Sequence, residues 1–228
     1  MGRVGESLST RRSAIAIALL LGVALGAPPV ASAGFIGVVD GREIRAQCLV
    51  DPGDVFWCPP GGVTRTDAPS APFSPFDSAV QYGYVARQTS SFSSTRIEGV
   101  GAVSSPNTTF PGRASSTFSI TFDVDAETPY LLSGSTLAGN PYVYAHVSLS
   151  RGSTSLFFFD RYASFGNSPF EQSGVLVSGR YDLVAETQMD GGGGYSYFSF
   201  QLEAIPEPST ALLLASGLVA FAVRRRVA

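Results

Sequence analysis

Between Ser116 and Asp125 the chain reads STFSITFDVD. Phe118, Ile120, Phe122 and Val124 occupy every second position, and Thr117, Ser119, Thr121, Asp123 and Asp125 fill the gaps. A helix would scatter these apolar groups around its axis, whereas a strand sends them all to one face. The stretch is therefore a strand with one face to bury, and it must be covered by a second layer. The pattern returns at Tyr142 to Ser150, where Val143, Ala145, Val147 and Leu149 oppose Tyr142, Tyr144 and His146. Weaker versions run through Gln81 to Thr89, Pro129 to Leu137, Gly174 to Ser178, Gly179 to Thr187 and Tyr195 to Ala204. Ser155 to Asp160 is a short apolar run that reads as buried on both faces. No segment between the termini has a helical period. Short strands punctuated by Gly, Pro and Asn predict an all-β fold, an antiparallel β-sandwich of jelly-roll type with eight or nine strands.

Gly53 to Pro75 interrupts this pattern with prolines at 59, 60, 69, 72 and 75 and the pair Gly61-Gly62. It reads as an irregular loop between an N-terminal strand, Phe35 to Val39, and the main sandwich. The expected layout is a leader at 1–33, a strand and Pro/Gly-rich loop at 34–78, the sandwich at 79–205 and a tail at 206–228.

The two ends are of a different kind. Arg11 and Arg12 precede an apolar run from Ser13 to Ala27, and Ala31-Ser32-Ala33 supplies small residues for cleavage. This is the layout of a secretory signal peptide, cut by signal peptidase after Ala33 to leave Gly34 first. An uncleaved membrane helix is the alternative; the run is short for a span and ends in Pro28-Pro29. Thr10-Arg11-Arg12 hints at a twin-arginine signal, but Ala14 stands where that motif wants a large apolar residue.

At the other end Pro206-Glu207-Pro208-Ser209-Thr210 precedes an apolar run from Ala211 to Val223, and Arg224, Arg225 and Arg226 follow it. Thirteen helical residues rise ~20 Å, short of the ~30 Å hydrocarbon core. The terminal arginines act as a stop on the cytoplasmic side. The prolines keep the preceding backbone extended, because each lacks an N–H and disfavours helix before it. This tail resembles the PEP-CTERM sorting signal of bacterial exosortase substrates over about the last two dozen residues. The resemblance implies recognition of Pro206 to Thr210 by a membrane-embedded, exosortase-like cysteine protease, with membrane attachment through the C-terminal helix before processing. It also implies export to the envelope, the surface or the medium, in company with exopolysaccharide and biofilm production. Gly179, Tyr181 and Leu183 loosely match a strand that precedes the tail in other exported proteins of this class.

All fifteen basic residues are arginines. Between Gly34 and Ile205 there are nine of them against sixteen acidic residues, a net of −7. Such a body lacks the clustered cations that nucleic acid needs. Cys48 and Cys58 are an even count in an exported segment, so a disulfide is expected, closing a loop of about ten residues and stabilising by roughly 2–3 kcal/mol. A redox pair or zinc site would want closer cysteines or more ligands.

His146, the sole histidine, reads as a solvent-facing strand residue without a catalytic nucleophile beside it. Asp123, Asp125 and Glu127 alternate to one side, which solubility alone explains; a calcium site or a glycosidase pair are the functional alternatives. Asp51 and Asp54 read as a turn, and Asn107-Thr108-Thr109 matches a glycosylation sequon. Tyr142 and Tyr144, joined by Tyr195 and Tyr197, are candidates for an aromatic platform that stacks on sugar rings, against a simpler reading as cross-strand packing. Two functions stand side by side. One is a non-enzymatic surface or matrix protein without a cofactor. The other is a carbohydrate-binding module using tyrosines, with calcium as an optional cofactor. A hydrolase assembled from dispersed acids is a weaker third.

Overall fold

A computed structural model of the protein describes residues 34–48, 63–82, 84–105, 112–139, 143–162 and 166–205. These hold thirteen strands: β1 (Phe35–Asp40), β2 (Glu43–Cys48), β3 (Val63–Asp67), β4 (Phe76–Tyr82), β5 (Tyr84–Phe92), β6 (Arg96–Ser105), β7 (Gly112–Val124), β8 (Thr128–Ala138), β9 (Val143–Arg151), β10 (Thr154–Tyr162), β11 (Asn167–Leu176), β12 (Gly179–Asp190) and β13 (Gly194–Ala204). The leader, the sorting tail, Cys58, Tyr142 and the Asn107 sequon lie outside the described residues, as does the side chain of Cys48, and with them the disulfide expectation.

The strands form two antiparallel sheets. Sheet A runs β10-β9-β12-β7-β2-β3, with β1 also on β7; sheet B runs β11-β8-β13-β6-β5-β4. The all-β sandwich read from the sequence is the fold. The described residues form thirteen strands where eight or nine were expected, and the 34–78 segment supplies β1, β2 and β3 to sheet A and the first residues of β4 to sheet B.

The strand that best explains the shortfall is β6. Its inward positions include Gly99 and Gly101, so it shows no apolar alternation. Gly99 lies opposite Phe200 and Gly101 opposite Phe198 on β13. A Cβ at Gly101 would come within 2.4 Å of the Phe198 ring, so the missing side chains are the space those rings fill.

Between the sheets lies one large core built on Ile97, Phe118, Ile120, Phe122, Leu132, Leu149, Leu183 and Phe198. Phe118 of sheet A meets Phe200 of sheet B edge-on at 4.7 Å, an arrangement that places one ring's positive edge on the other's negative face. Phe122 does the same with Phe35 at 5.1 Å. A smaller cluster around Ile44, Tyr84, Val103, Val143 and Met189 continues the interior.

The largest fully buried side chain is charged. Arg42, in the turn between β1 and β2, is paired with Asp40 at 2.6 Å. It also donates from Nη1 to Ser90 Oγ (3.0 Å) and from Nη2 to the Ser74 carbonyl (2.8 Å). Asp40 accepts in turn from the Phe73 N–H at 2.7 Å. Burial by itself would raise the Asp40 pKa. The bonds from Arg42 and from the backbone N–H groups of Phe73 and Arg42 outweigh it and hold the carboxyl below its ordinary value. The knot ties the loop before β4 onto both sheets.

Candidate functional site

The outer face of sheet A gathers most of the titratable side chains whose environments perturb them. β9 lies between β10 and β12. Since Val143, Ala145, Val147 and Leu149 point inward and are fully buried, Tyr144, His146 and Ser148 must point out. The register then fixes their neighbours. His146 lies opposite Asp160 on one side and Glu186 on the other. Tyr144 lies opposite Tyr162 and Gln188, and Ser148 opposite Phe158 and Val184.

Within this patch Tyr144 Oη and His146 Nδ1 share a hydrogen bond, with the two rings 5.0 Å apart. The imidazole stacks on Phe158 at 6.1 Å and 29°. Tyr144, His146 and Phe158 thus form a line of rings from β9 onto β10. Phe158 is 60% exposed and Tyr162 68%, so these two rings stand in solvent, whereas His146 at 9% is covered by its neighbours.

The charges follow from that covering. Burial, with Glu186 and Asp160 adding their negative potential, pushes the Tyr144 phenol up to about 12. Burial pulls the His146 pKa down, with Asp160 opposing it. Burial also raises Glu186. At neutral pH the patch therefore holds a protonated phenol and a neutral imidazole beside two carboxyls. Flat rings exposed next to hydrogen-bonding groups can stack on the C–H face of a sugar while the carboxyls accept from its hydroxyls. Among the described residues no three His, Cys, Asp or Glu side chains converge as a metal ligand set.

The expected site residues fall in several places. Tyr144 is in the patch, held by His146 and half-buried. Tyr195 and Tyr197, 5.7 Å apart, are on the outer face of sheet B, because Ser196 and Phe198 between and beyond them point into the core. The described tyrosines of the expected platform are thus divided between two opposite faces. His146 is not a solvent-facing residue; it is buried among rings. Asp123 is engaged by Arg180, with Nε and Nη2 donating to its two oxygens at 2.9 and 3.1 Å, while Asp125 and Glu127 lie exposed between β7 and β8.

Phe158, Asp160, Tyr162 and Glu186 were not singled out from the sequence. The run at Ser155 to Asp160 looked buried on both faces. β10 is instead an edge strand, and its rings divide: Phe157 and Phe159 turn inward, each 5.1 Å from Phe170, while Phe158 and Tyr162 turn out. The legible signal was the alternation Phe158, Asp160, Tyr162, which puts rings and an acid on one side.

Residues 204–226 match the PEP-CTERM protein-sorting motif. No curated protein matches the chain in sequence. Among solved structures, the chain is similar to TmCBM61 in complex with β-1,4-galactotriose, at 15% identity and a TM-score of 0.33, covering 59% of this chain and 90% of that one. It is also similar to a carbohydrate-binding module from Cellvibrio mixtus lichenase 5A in complex with cellotriose, at 11% identity and a TM-score of 0.24, covering 44% and 82%. The infectious bursal disease virus VP2 subviral particle gives 12% identity and a TM-score of 0.26, covering 78% and 59%. Likeness at this level carries no argument about what the chain binds.

Proposed function

Taking the sorting motif at residues 204–226 as the premise, we propose that the chain is an exported surface or matrix protein whose sandwich binds polysaccharide through the ring-bearing face of sheet A. Signal peptidase removes residues 1–33 and leaves Gly34 as the first residue. An exosortase-like protease then acts at Pro206 to Thr210, while the apolar run and Arg224 to Arg226 hold the chain in the membrane. The mature product is non-enzymatic and uses no cofactor.

The observation that carries the glycan reading is the exposure of Phe158 and Tyr162 on one face of an edge strand, beside Asp160 and the covered His146. Exposed rings on an edge invite association, which proteins ordinarily blunt. Here the edge carries a bulge between Ser155 and Phe157, yet the rings remain outward. Stacking on sugar gives those rings a use, and the acids give the sugar an orientation.

Retention on the producing cells' exopolysaccharide, read by affinity electrophoresis of protein recovered from the medium, tests this. Phe158→Ala with Tyr162→Ala should weaken retardation severalfold without changing the unfolding midpoint. A passive matrix component would migrate identically with and without its rings. Mass spectrometry of the same material reads both cut sites, and an intact peptide from Ile205 to Arg226 throughout would refute tail processing.

A further inference from the structure

The outer face of sheet B is shaped differently. It holds a groove of about 600 Å³ floored by β5, β6, β13 and β8 and closed at one end by the start of β4. Registers align the floor into two rows. Thr89, Val100 and Ser199 are successive cross-strand neighbours in one; Ser91, Glu98, Gln201 and Ser133 are in the other. From β4 to β8 there are four interstrand spacings, so the floor is about 19 Å long at ~4.8 Å each. That length suits a chain of linked rings rather than a single small molecule.

The floor is low because its central side chains are small. Ser199 and Ser133 stand where longer residues would fill the channel. The inward Gly134 beneath them lets the strands sit close: a Cβ there would be 2.0 Å from the Ser199 carbonyl. The polar groups are already oriented by one another. Glu98 pairs with Arg96 at 2.7 Å and accepts from Ser91 at 2.9 Å. Arg96 also donates to Gln201 Oε1 at 2.9 Å, and Asp77 accepts from Thr89 at 3.1 Å. Val100, 48% exposed, puts an apolar spot in the middle. Two carboxylates and no basic side chain line the groove. The lining's hydroxyls, amide and carboxylates fit hydroxyl-rich, uncharged chains, and it carries no cation of its own to hold an anionic one.

We propose that this groove is a second binding site, for a neutral polysaccharide chain, and that the molecule bridges two such chains. The outer faces of the two packed sheets point in opposite directions, so two chains bound there do not collide. The groove stands on its own geometry; the bridging rests on the reading of sheet A given above.

The protein, recovered in mature form, would be run in gels containing a neutral galactan, glucan or mannan, with alginate as the anionic control. Solution viscosity of the polymer that retards it reports bridging. Ser199→Arg fills the groove, and Glu98→Gln keeps its shape while weakening an acceptor. Both should keep the wild-type unfolding midpoint. Ser199→Arg should cut retention at least fivefold and remove the rise in viscosity, and Glu98→Gln should do both more weakly. Protein with Phe158→Ala and Tyr162→Ala should keep groove-dependent retention but raise no viscosity. If Ser199→Arg and Glu98→Gln leave the retention of that double variant unchanged, the groove is not a site. If the double variant loses nothing while Ser199→Arg loses everything, the groove stands, and both the sheet A reading and the bridging fall. Stronger retention on alginate than on every neutral polymer overturns the ligand class.

Discussion

The two outer faces of the sandwich are built by opposite means. Sheet A's face is made by addition: large rings on β9 and β10 rise above the sheet, beside a covered histidine and the partly buried Glu186 carboxyl. Sheet B's face is made by subtraction: serines and inward glycines lower the floor until a channel appears. Their support differs as well. The rings on β10 hang on an edge strand with one neighbour, β9. The groove's closed end, at Pro75, Phe76 and Ser90, lies over the buried Arg42–Asp40 knot. A surface made by addition is lost when a side chain is removed. One made by subtraction is lost when a side chain is added or when what lies beneath it shifts.

The largest expected effect is therefore at the knot. Asp40→Asn leaves Arg42 buried without its counter-charge, a change that costs about 3–5 kcal/mol when a buried pair loses one partner. The loop it holds includes Phe73, whose φ of 59° is a left-handed conformation that a non-glycine residue keeps only when its surroundings insist. Urea unfolding would show the loss. The pH dependence has a definite sign. Because the Asp40 pKa is lowered on folding from 3.8, its contribution is full above that value and disappears as pH falls through the folded one. Groove-dependent retention should fall with the knot, and ring-dependent retention should persist in whatever fraction stays folded. A loss under ~1 kcal/mol would mean that the knot does not underpin the groove.

Next in size is Gly134→Ala, expected to cost about 1–3 kcal/mol by overpacking. The new methyl meets the Ser199 carbonyl and the Phe170 ring, so the floor of the groove must move. The sheet A face has no such dependence on a missing side chain. A midpoint unchanged from wild type would show that sheet B yields easily, and the subtraction argument would fail.

The same asymmetry explains what could be read from the sequence. Period two between Ser116 and Asp125 names a strand because every inward position carries a large apolar group. β6 hides because two of its inward positions are glycines whose space is filled by Phe198 and Phe200, almost a hundred residues later in the chain. Arg42 hides for a related reason. An arginine in a turn reads as surface, and only the fold brings Ser74 and Ser90 to meet it. Tyr144 and His146 were visible on one strand, but their environment was not: Asp160 and Glu186 come from β10 and β12 through register, which local pattern does not encode. The sorting tail was legible because it works as a linear signal and needs no partners from elsewhere in the chain.

A smaller effect lies within the sheet A face itself. Burial raises Glu186 above its ordinary 4.5, so its ionisation works against the fold. Stability should decline as pH rises from 4.5 through the raised folded value, then level off. His146, lowered from 6.5 and faced by Asp160 from β10, Glu186 from β12 and the Tyr144 phenol, acts the other way. Its contribution is complete above 6.5 and shrinks as pH drops from there to the lowered folded value. Glu186→Gln should remove the first slope and raise stability at neutral pH by a few tenths to about 1 kcal/mol after solvent screening. A variant equally stable at neutral pH, with the slope intact, would show that Glu186 is not covered by the rings.

The smallest expected change is at the pair that most resembles the knot in chemistry. Arg180 grips Asp123 with two nitrogens on the outer side of β7 and β12, and the bonds from Arg180 lower the Asp123 pKa, as those from Arg42 lower Asp40. The settings differ: the side chains of Arg180 and Asp123 are 61% and 38% exposed, against 0% and 4% for Arg42 and Asp40. Water solvates either charge almost as well as its partner does, so removing one strands nothing. Asp123→Asn should leave the urea midpoint at the wild-type value, and added salt should not separate the two proteins. A clear drop would mean that pair geometry rather than burial governs charge in this sandwich, and the contrast drawn between the knot and the open faces would lose its physical basis.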